Sequence, residues 1–295
     1  MDQNKHSFEV ISSSQNQKVK NTILLQKPRE RRKQNLFLVE GRKEVARAIR
    51  AGYTFKRLFI CKELYGGDGE TSTFNDDLNP EAIEAGLEPP SSELDLNQIP
   101  ENCEVDFVST KVYAHMAYRG STEGIIAWAI PKSHELNEIR LSDNPLILVV
   151  DAVEKPGNLG AILRTADAAG IDALIISDRR TDIYNPNVIR SSLGAVFSTQ
   201  VGVGESEAVI NWLKMNKIKI FCTALTASKP YTEINYTGPS AIIMGTEATG
   251  LSESWLIQSD QNIIIPMEGI VDSMNVSVST GIVLFEAIRQ RNIKR

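Results

Sequence analysis

Ile263-Ile-Ile-Pro-Met-Glu-Gly-Ile-Val-Asp-Ser-Met-Asn-Val-Ser-Val-Ser-Thr-Gly281 is the stretch around which the chain is organised. Its first three residues, Ile263 to Ile265, form a β-branched run that reads as a buried strand. Pro266 cannot donate to a sheet ladder, so the strand should end there. A loop with Gly269 follows, then Asp272, Ser273 and Asn275, and a helix is expected from about Val276 to Arg291. A loop running from a buried strand into a polar helix start is where an open α/β sheet usually binds a ligand. The unpaired N–H groups at such a helix start can hold an anion or another polar group.

Working outward, the second half alternates strands and helices almost throughout. Strands are expected at Leu146–Val150, Ala173–Ile176, Ile218–Cys222, Ala241–Met244 and Asn262–Ile265. Helices are expected at Asn158–Ala169, Val188–Phe197, Glu207–Asn216 and Ser252–Gln258. The strands are apolar runs without polar alternation, as in a mostly parallel sheet covered by helices on both faces. The first half begins strand–helix–strand: Leu36–Val39, a helix from Arg42 to Ala51, and Leu58–Cys61. Before it, Asn16–Lys27 reads as a helix that Pro28 ends or kinks, followed by a basic segment, Arg29–Lys33, either helical or loop. After it, Val105–Val108, a helix Thr110–Tyr118 and the strand Gly124–Ile130 close a small α/β domain. The expected organisation is a domain over 1–133 with an acidic insertion at about 62–104, a linker at 134–144, and a second domain over 145–295.

The net charge of −5 hides an asymmetry. Bases crowd the chain from Lys18 to Arg57, whereas Glu63 to Asp106 holds no Lys or Arg. A basic face on an acidic protein fits phosphate contact, and Arg29, Arg31, Arg32, Lys33 and Arg42 are its candidate residues. A solvated helix face is the plain alternative. Cys61, Cys103 and Cys222 are too sparse for a disulfide framework or a zinc site, which fits a reducing, cytoplasmic setting. His6, His115 and His134 make no metal-ligand pattern, and no run approaches the length of a membrane span. Neither metal nor membrane is therefore expected.

Two further motifs join the opening stretch. In Asp151-Ala-Val-Glu-Lys-Pro-Gly-Asn-Leu-Gly-Ala-Ile-Leu-Arg-Thr165, Asn158 reads as a helix N-cap. At about 100° per residue, Leu159, Ile162, Leu163 and Ala166 share one face. Arg164 falls nearly opposite, beside Gly160, Ala161 and Ala168, over a floor of small residues that leaves room for a substrate. An exposed Arg paired with Asp167 or solvent is the alternative. In Ala241-Ile-Ile-Met-Gly-Thr-Glu-Ala-Thr-Gly-Leu-Ser252 a strand ends at Gly245, and a loop with Glu247 and Gly250 leads to a helix capped by Ser252. Gly245 lets a ligand approach the backbone. Neither a Gly-x-Gly-x-x-Gly fingerprint nor a phosphate-binding Gly-x-x-x-x-Gly-Lys loop is present.

Together, Asn158-x-Gly160-x-x-x-Arg164, Met244-Gly-Thr-Glu-Ala-Thr-Gly250 and Ile265-Pro-Met through Asp272-Ser-Met-Asn-Val-Ser277 resemble the three signature motifs of the SpoU (TrmH-like) RNA ribose 2′-O-methyltransferases. The resemblance covers about residues 144–292. Phe37-Leu-Val-Glu-Gly41 and the strand after Gly124 resemble the L30e-like substrate-binding domain that precedes the catalytic domain in many members. Met274 stands where Leu is usual, and Glu123-Gly124 where many relatives have Gln-Gly.

The resemblance implies a SPOUT fold with a deep trefoil knot, S-adenosylmethionine as cofactor, rRNA or else tRNA as substrate, and a homodimer formed through the C-terminal domain. It implies catalytic or site-lining roles for Arg164, Asn158, Ser273, Asn275 and Glu247, with Arg164 as general base or oxyanion stabiliser. It implies cofactor contacts at Thr223, Gly245, Ile265, Met274 and Asn275. An RNA-binding protein that keeps the fold without catalysis is the competing reading.

Overall fold

A computed structural model of the protein describes residues 10–65, 99–100, 102–118, 123–226, 228–246, 250–270 and 273–292. The chain divides into two compact units, Met1–Pro131 and Lys132–Arg295.

The first unit runs β1 (Val10–Ile11), α1 (Gln17–Leu25), α2 (Pro28–Gln34), β2 (Phe37–Glu40), α3 (Arg42–Arg50), β3 (Phe55–Ile60), α4 (Lys62–Tyr65), β4 (Glu104–Val108), α5 (Thr110–Met116) and β5 (Ile125–Ala129). The sheet order is β1-β4-β3-β5-β2, with β5 antiparallel to both neighbours and the other pairs parallel. Its core joins Val19 and Leu25 of α1 to Phe59, Ile126, Val112, Tyr113 and Met116. Pro28 separates two helices by opening the second, at a position where its missing N–H has no partner to lose. Most of the acidic insertion lies outside the described residues.

The second unit runs β6 (Leu146–Asp151), α6 (Pro156–Ala169), β7 (Ala173–Ser177), α7 (Pro186–Ser191), α8 (Ala195–Ser198), β8 (Val201–Gly204), α9 (Ser206–Met215), β9 (Lys219–Thr223), β10 (Ser228–Pro230), β11 (Ser240–Met244), α10 (Glu253–Gln258), β12 (Gln261–Ile264) and α11 (Val276–Asn292). Its seven strands are all parallel, in the order β10-β12-β9-β11-β6-β7-β8. Every residue of β6, β7 and β11 is buried. Val209, Ile210 and Leu213 of α9 and Trp255 of α10 pack on Ile147, Val149, Ile175 and Ile243. Alternate strand residues point to the opposite face, where α6 packs against α7, α8 and α11.

Residues 134–144, expected as a linker, lie against the second unit. The Val203 N–H donates to the His134 carbonyl at 2.8 Å, so the segment pairs with the edge strand β8. A Cβ at Gly202 would stand 2.7 Å from Ile139 and 3.0 Å from Leu136, so a glycine there makes room for both. The His134 ring bonds the Val201 carbonyl at 2.8 Å and the Tyr184 hydroxyl at 2.9 Å. The expected helix Val188–Phe197 is two short helices, broken at Leu193-Gly194, both with positive φ.

Candidate active site

The sheet delivers three strand ends to one place. β9 ends at Thr223, β11 at Met244 and β12 at Ile264, and the loops beyond them enclose a crevice of about 460 Å³. Thr223, Gly245, Ile265, Ser273 and Met274 all line it. Thr223 is held in place by its hydroxyl, which donates to the Ile243 carbonyl at 2.9 Å. Gly245 is required by the protein itself: a Cβ there would stand 2.5 Å from the Gly250 carbonyl carbon. The loop folds back because Thr246 and Gly250 exchange both backbone hydrogen bonds at 3.1 Å. Close approach by a ligand, the expected reason for this glycine, is therefore not needed to explain it. Glu247 and Asp272 lie outside the described residues.

Asn275 stands beside the crevice and caps α11. Its side-chain oxygen accepts from the Ser277 N–H at 3.0 Å and the Ser277 hydroxyl at 2.6 Å. Its Nδ2 donates to Oδ1 of Asn158 at 3.2 Å, joining α11 to the first turn of α6. Asn158 is not the N-cap of α6, as expected from sequence. Lys155 occupies that position and Pro156 begins the helix. The Asn158 side chain is thereby available for Asn275.

Along α6, Leu159, Ile162, Leu163 and Ala166 are buried and Arg164 is exposed. Arg164 makes no hydrogen bond or ion pair among the described residues; Asp167, its expected alternative partner, accepts instead from the Ser198 hydroxyl at 2.6 Å. The small residues around Arg164 divide into two kinds. Gly160 is buried against α7: a Cβ there would meet Ser191 Oγ at 1.9 Å and the Val188 carbonyl at 2.8 Å. It is a helix contact rather than floor for a substrate. On the other flank, Gly281 of α11 faces Thr165. At about 100° per residue, Arg164 falls between these two contacts on the surface of α6, with α7 toward one side and α11 toward the other.

A buried network that the sequence reading missed braces this end of the sheet. Asp151 accepts from the Ser177 hydroxyl at 2.6 Å and the Ser206 hydroxyl at 3.2 Å, and Trp255 Nε1 donates to Ser206 Oγ at 3.1 Å. An aspartate closing an apolar strand was the available signal. Thr181 donates to the carbonyls of Val153 and Glu154 at 2.8 and 2.6 Å, tying the loop after β7 to the segment before α6.

In the first unit, the five basic candidates separate. Arg31 is only 3% exposed; its guanidinium donates to the Leu25 and Gln26 carbonyls at 3.0 and 2.8 Å. It closes the C-terminal end of α1, so the expectation of an RNA-facing Arg31 is corrected. Arg42 is also committed, donating to the carbonyls of Glu123 at 3.2 Å and Leu64 at 3.0 Å and lying 4.5 Å over the Tyr65 ring. Arg29, Arg32 and Lys33 are exposed on one face of α2, without a bonded partner among the described residues.

Comparison with known proteins follows the same two units. The SpoU rRNA Methylase family model matches residues 145–285, and the MRM3-like substrate binding domain matches residues 16–127. The 23S rRNA (guanosine(2553)-2′-O)-methyltransferase RlmP of Bacillus subtilis is 29% identical over 275 residues, covering 93% of this chain and 97% of the relative. The 23S rRNA (guanosine-2′-O-)-methyltransferase RlmB of Pseudomonas putida is 38% identical over 184 residues, covering 60% of this chain and 74% of the relative. The crystal structure of an AdoMet-bound rRNA methyltransferase from Sinorhizobium meliloti superposes with a TM-score of 0.78 at 26% identity, covering 95% of this chain and 97% of that one. Likeness of this length and depth makes the chain a member of the SpoU rRNA methylase family.

Proposed function

We propose that this chain transfers a methyl group from S-adenosylmethionine to the ribose 2′-OH of a guanosine in 23S rRNA, in the cytoplasm. One arrangement carries the reading: Asn275 bonds Asn158 at the edge of the crevice, and Arg164, exposed, follows on the same helix. The crevice suits the cofactor. Its volume lies in the usual range for small-molecule sites, and its lining combines backbone of Thr223, Gly245 and Ile265 with apolar side chains such as Leu251, Leu256 and Ile263. That lining offers amide and carbonyl groups to an adenine edge and apolar surface to its faces.

S-adenosylmethionine supplies an electrophilic methyl on a sulfonium. The ribose oxygen is a poor nucleophile, so orientation and charge stabilisation must do most of the work. Asn158 and Asn275 fix each other and hold the start of α11, so the acceptor meets a rigid polar edge. Thr223, Gly245, Ile265, Ser273 and Met274 would hold the cofactor. A guanidinium offers hydrogen-bond donors and no acceptor, which suits Arg164 to stabilising the developing alkoxide rather than taking its proton; the proton passes to water.

Arg29, Arg32 and Lys33 grip rRNA phosphates. The chain works as a homodimer through its second unit, a role fitted to the exposed Val278 and Phe285, two turns apart on α11. The second unit carries the deep trefoil knot of the SPOUT class.

The test is transfer of labelled methyl to rRNA from a strain lacking this protein, followed by nucleoside mass spectrometry. A new 2′-O-methylguanosine is expected. Arg164→Ala should lower the rate by about 100-fold or more with cofactor affinity nearly unchanged. Cofactor binding without transfer to rRNA would refute the assignment of substrate, and no cofactor binding would favour an RNA-binding protein without catalysis.

A further inference from the structure

The break between α7 and α8 is a left-handed helix C-terminus, the same closure that ends α9 at Lys217. Leu193 adopts φ +52°, a left-handed conformation that costs a leucine energy and a glycine almost none. It is also 41% exposed. Its backbone geometry is firmly held: the Leu193 N–H donates to the Arg190 carbonyl and the Gly194 N–H to the Ile189 carbonyl, each at 3.0 Å.

What distinguishes this corner is its position. It joins Ser191, which abuts Gly160, to Ser198, which bonds Asp167. At about 100° and 1.5 Å per residue, Arg164 lies between those two contacts along α6 and about 40–60° round from them. The corner therefore borders the side of α6 from which Arg164 emerges. Arg190, the residue before Ser191, is exposed and has no bonded partner among the described residues. A partly exposed apolar residue and an exposed cation thus lie three residues apart on this corner.

We propose that the Arg190–Gly194 corner holds the acceptor nucleotide beside Arg164, with Leu193 against its sugar and base and Arg190 at a flanking phosphate. This rests on the methyltransferase reading above. A leucine offers an apolar contact to any base, and this one is partly exposed. Arg190 contributes affinity that salt screens.

Leu193→Gly separates this role from a structural one, because glycine suits the observed φ. The variant should melt at or above the wild-type temperature, keep its cofactor affinity and sedimentation mass, and show a KM for an rRNA fragment raised by about five-fold. Arg190→Gln should raise the RNA dissociation constant by roughly ten-fold and make its salt dependence shallower by about one. An unchanged KM in Leu193→Gly overturns the proposal. So does a raised KM accompanied by a changed mass or cofactor affinity, since the corner would then act in assembly or in the cofactor site. Wild-type protein that binds cofactor yet methylates no rRNA fails the underlying reading instead.

Discussion

Gly160→Ala is the substitution whose consequence can be worked most closely from the structure. The added methyl would sit 1.9 Å from Ser191 Oγ, 2.8 Å from the Val188 carbonyl and 2.9 Å from Ser191 Cβ. Rotating the serine hydroxyl away would relieve only the first, and would break its bond to the Asn187 carbonyl. The other two clashes are with Cβ and main chain, so α7 must move. Alanine gains about 1 kcal/mol of helix propensity over glycine. Overpacking a close contact costs about 1–3 kcal/mol, and more where backbone must shift. The net loss should be about 1–2 kcal/mol, or about 3–6 °C in the melting temperature of a unit this size. Arg164 lies one turn further along α6, and a displacement of about 1 Å at a reacting group can cost about 100-fold in rate. Methyl transfer should therefore fall by at least about ten-fold while cofactor binding changes little. Scanning calorimetry and single-turnover methylation read the two effects. Adding Ser191→Gly removes two of the three clashes and should recover part of both losses. A Gly160→Ala protein that melts no lower and reacts as fast as wild type would refute the reasoning.

The basic face gives a paired prediction. Reversing Arg29, Arg32 and Lys33 to Glu should weaken rRNA binding and flatten its salt dependence by about two to three, with stability nearly unchanged. Arg31→Glu alone should instead destabilise the first unit by about 3 kcal/mol or more, since it buries an unpaired charge and frees two carbonyls. Equal effects from both variants, read by filter binding and urea unfolding, would contradict the division made here. His134 predicts a pH dependence. Burial first, and then Arg179, depress its pKa below the ordinary 6.5, against the opposing bond to Val201. The folded state thus resists protonation: the stability is present above 6.5 and is lost as pH falls through the lowered value. Urea unfolding should show the second unit weakening from pH 7 to 5, and His134→Gln should remove part of that slope; an unchanged slope would assign it elsewhere.

The sequence was legible where one physical rule dominated. The apolar runs of β6, β7 and β11 are wholly buried, and they read as strands because nothing else accommodates such residues. β8 was missed because Val201-Gly-Val-Gly has too few side chains to signal a strand, and its glycines are needed by Leu136 and Ile139 from a distant segment. The same long-range contact turns the expected linker into a cover for the sheet edge. β10, three residues with a proline, gains its place only by pairing with β12. In the candidate site, the residues named around the strand ends meet in one crevice, because strand order and loop position follow from the motifs. Roles that depend on side-chain direction were not legible. Arg31 and Arg32 are adjacent in sequence, yet one turns inward to cap a helix and the other faces solvent. Asn158 looked like a cap until the structure gave that place to Lys155.

The last helix carries a consequence for how the protein comes into being. Near its end, the Arg291 guanidinium donates to the carbonyls of Asn144, Pro145, Tyr236 and Gly238 at 2.7–3.1 Å. Its other end carries Asn275, so one rod about 25 Å long is pinned at both ends. The bonds to Asn144 and Pro145 join residues 147 and 146 positions apart. Every strand they brace leaves the ribosome before Arg291 does. During synthesis the crevice therefore lacks its Asn275 edge until this helix has emerged and docked. A nascent chain halted before that helix would lack both a packing partner of α6 and the Asn275 edge of the crevice.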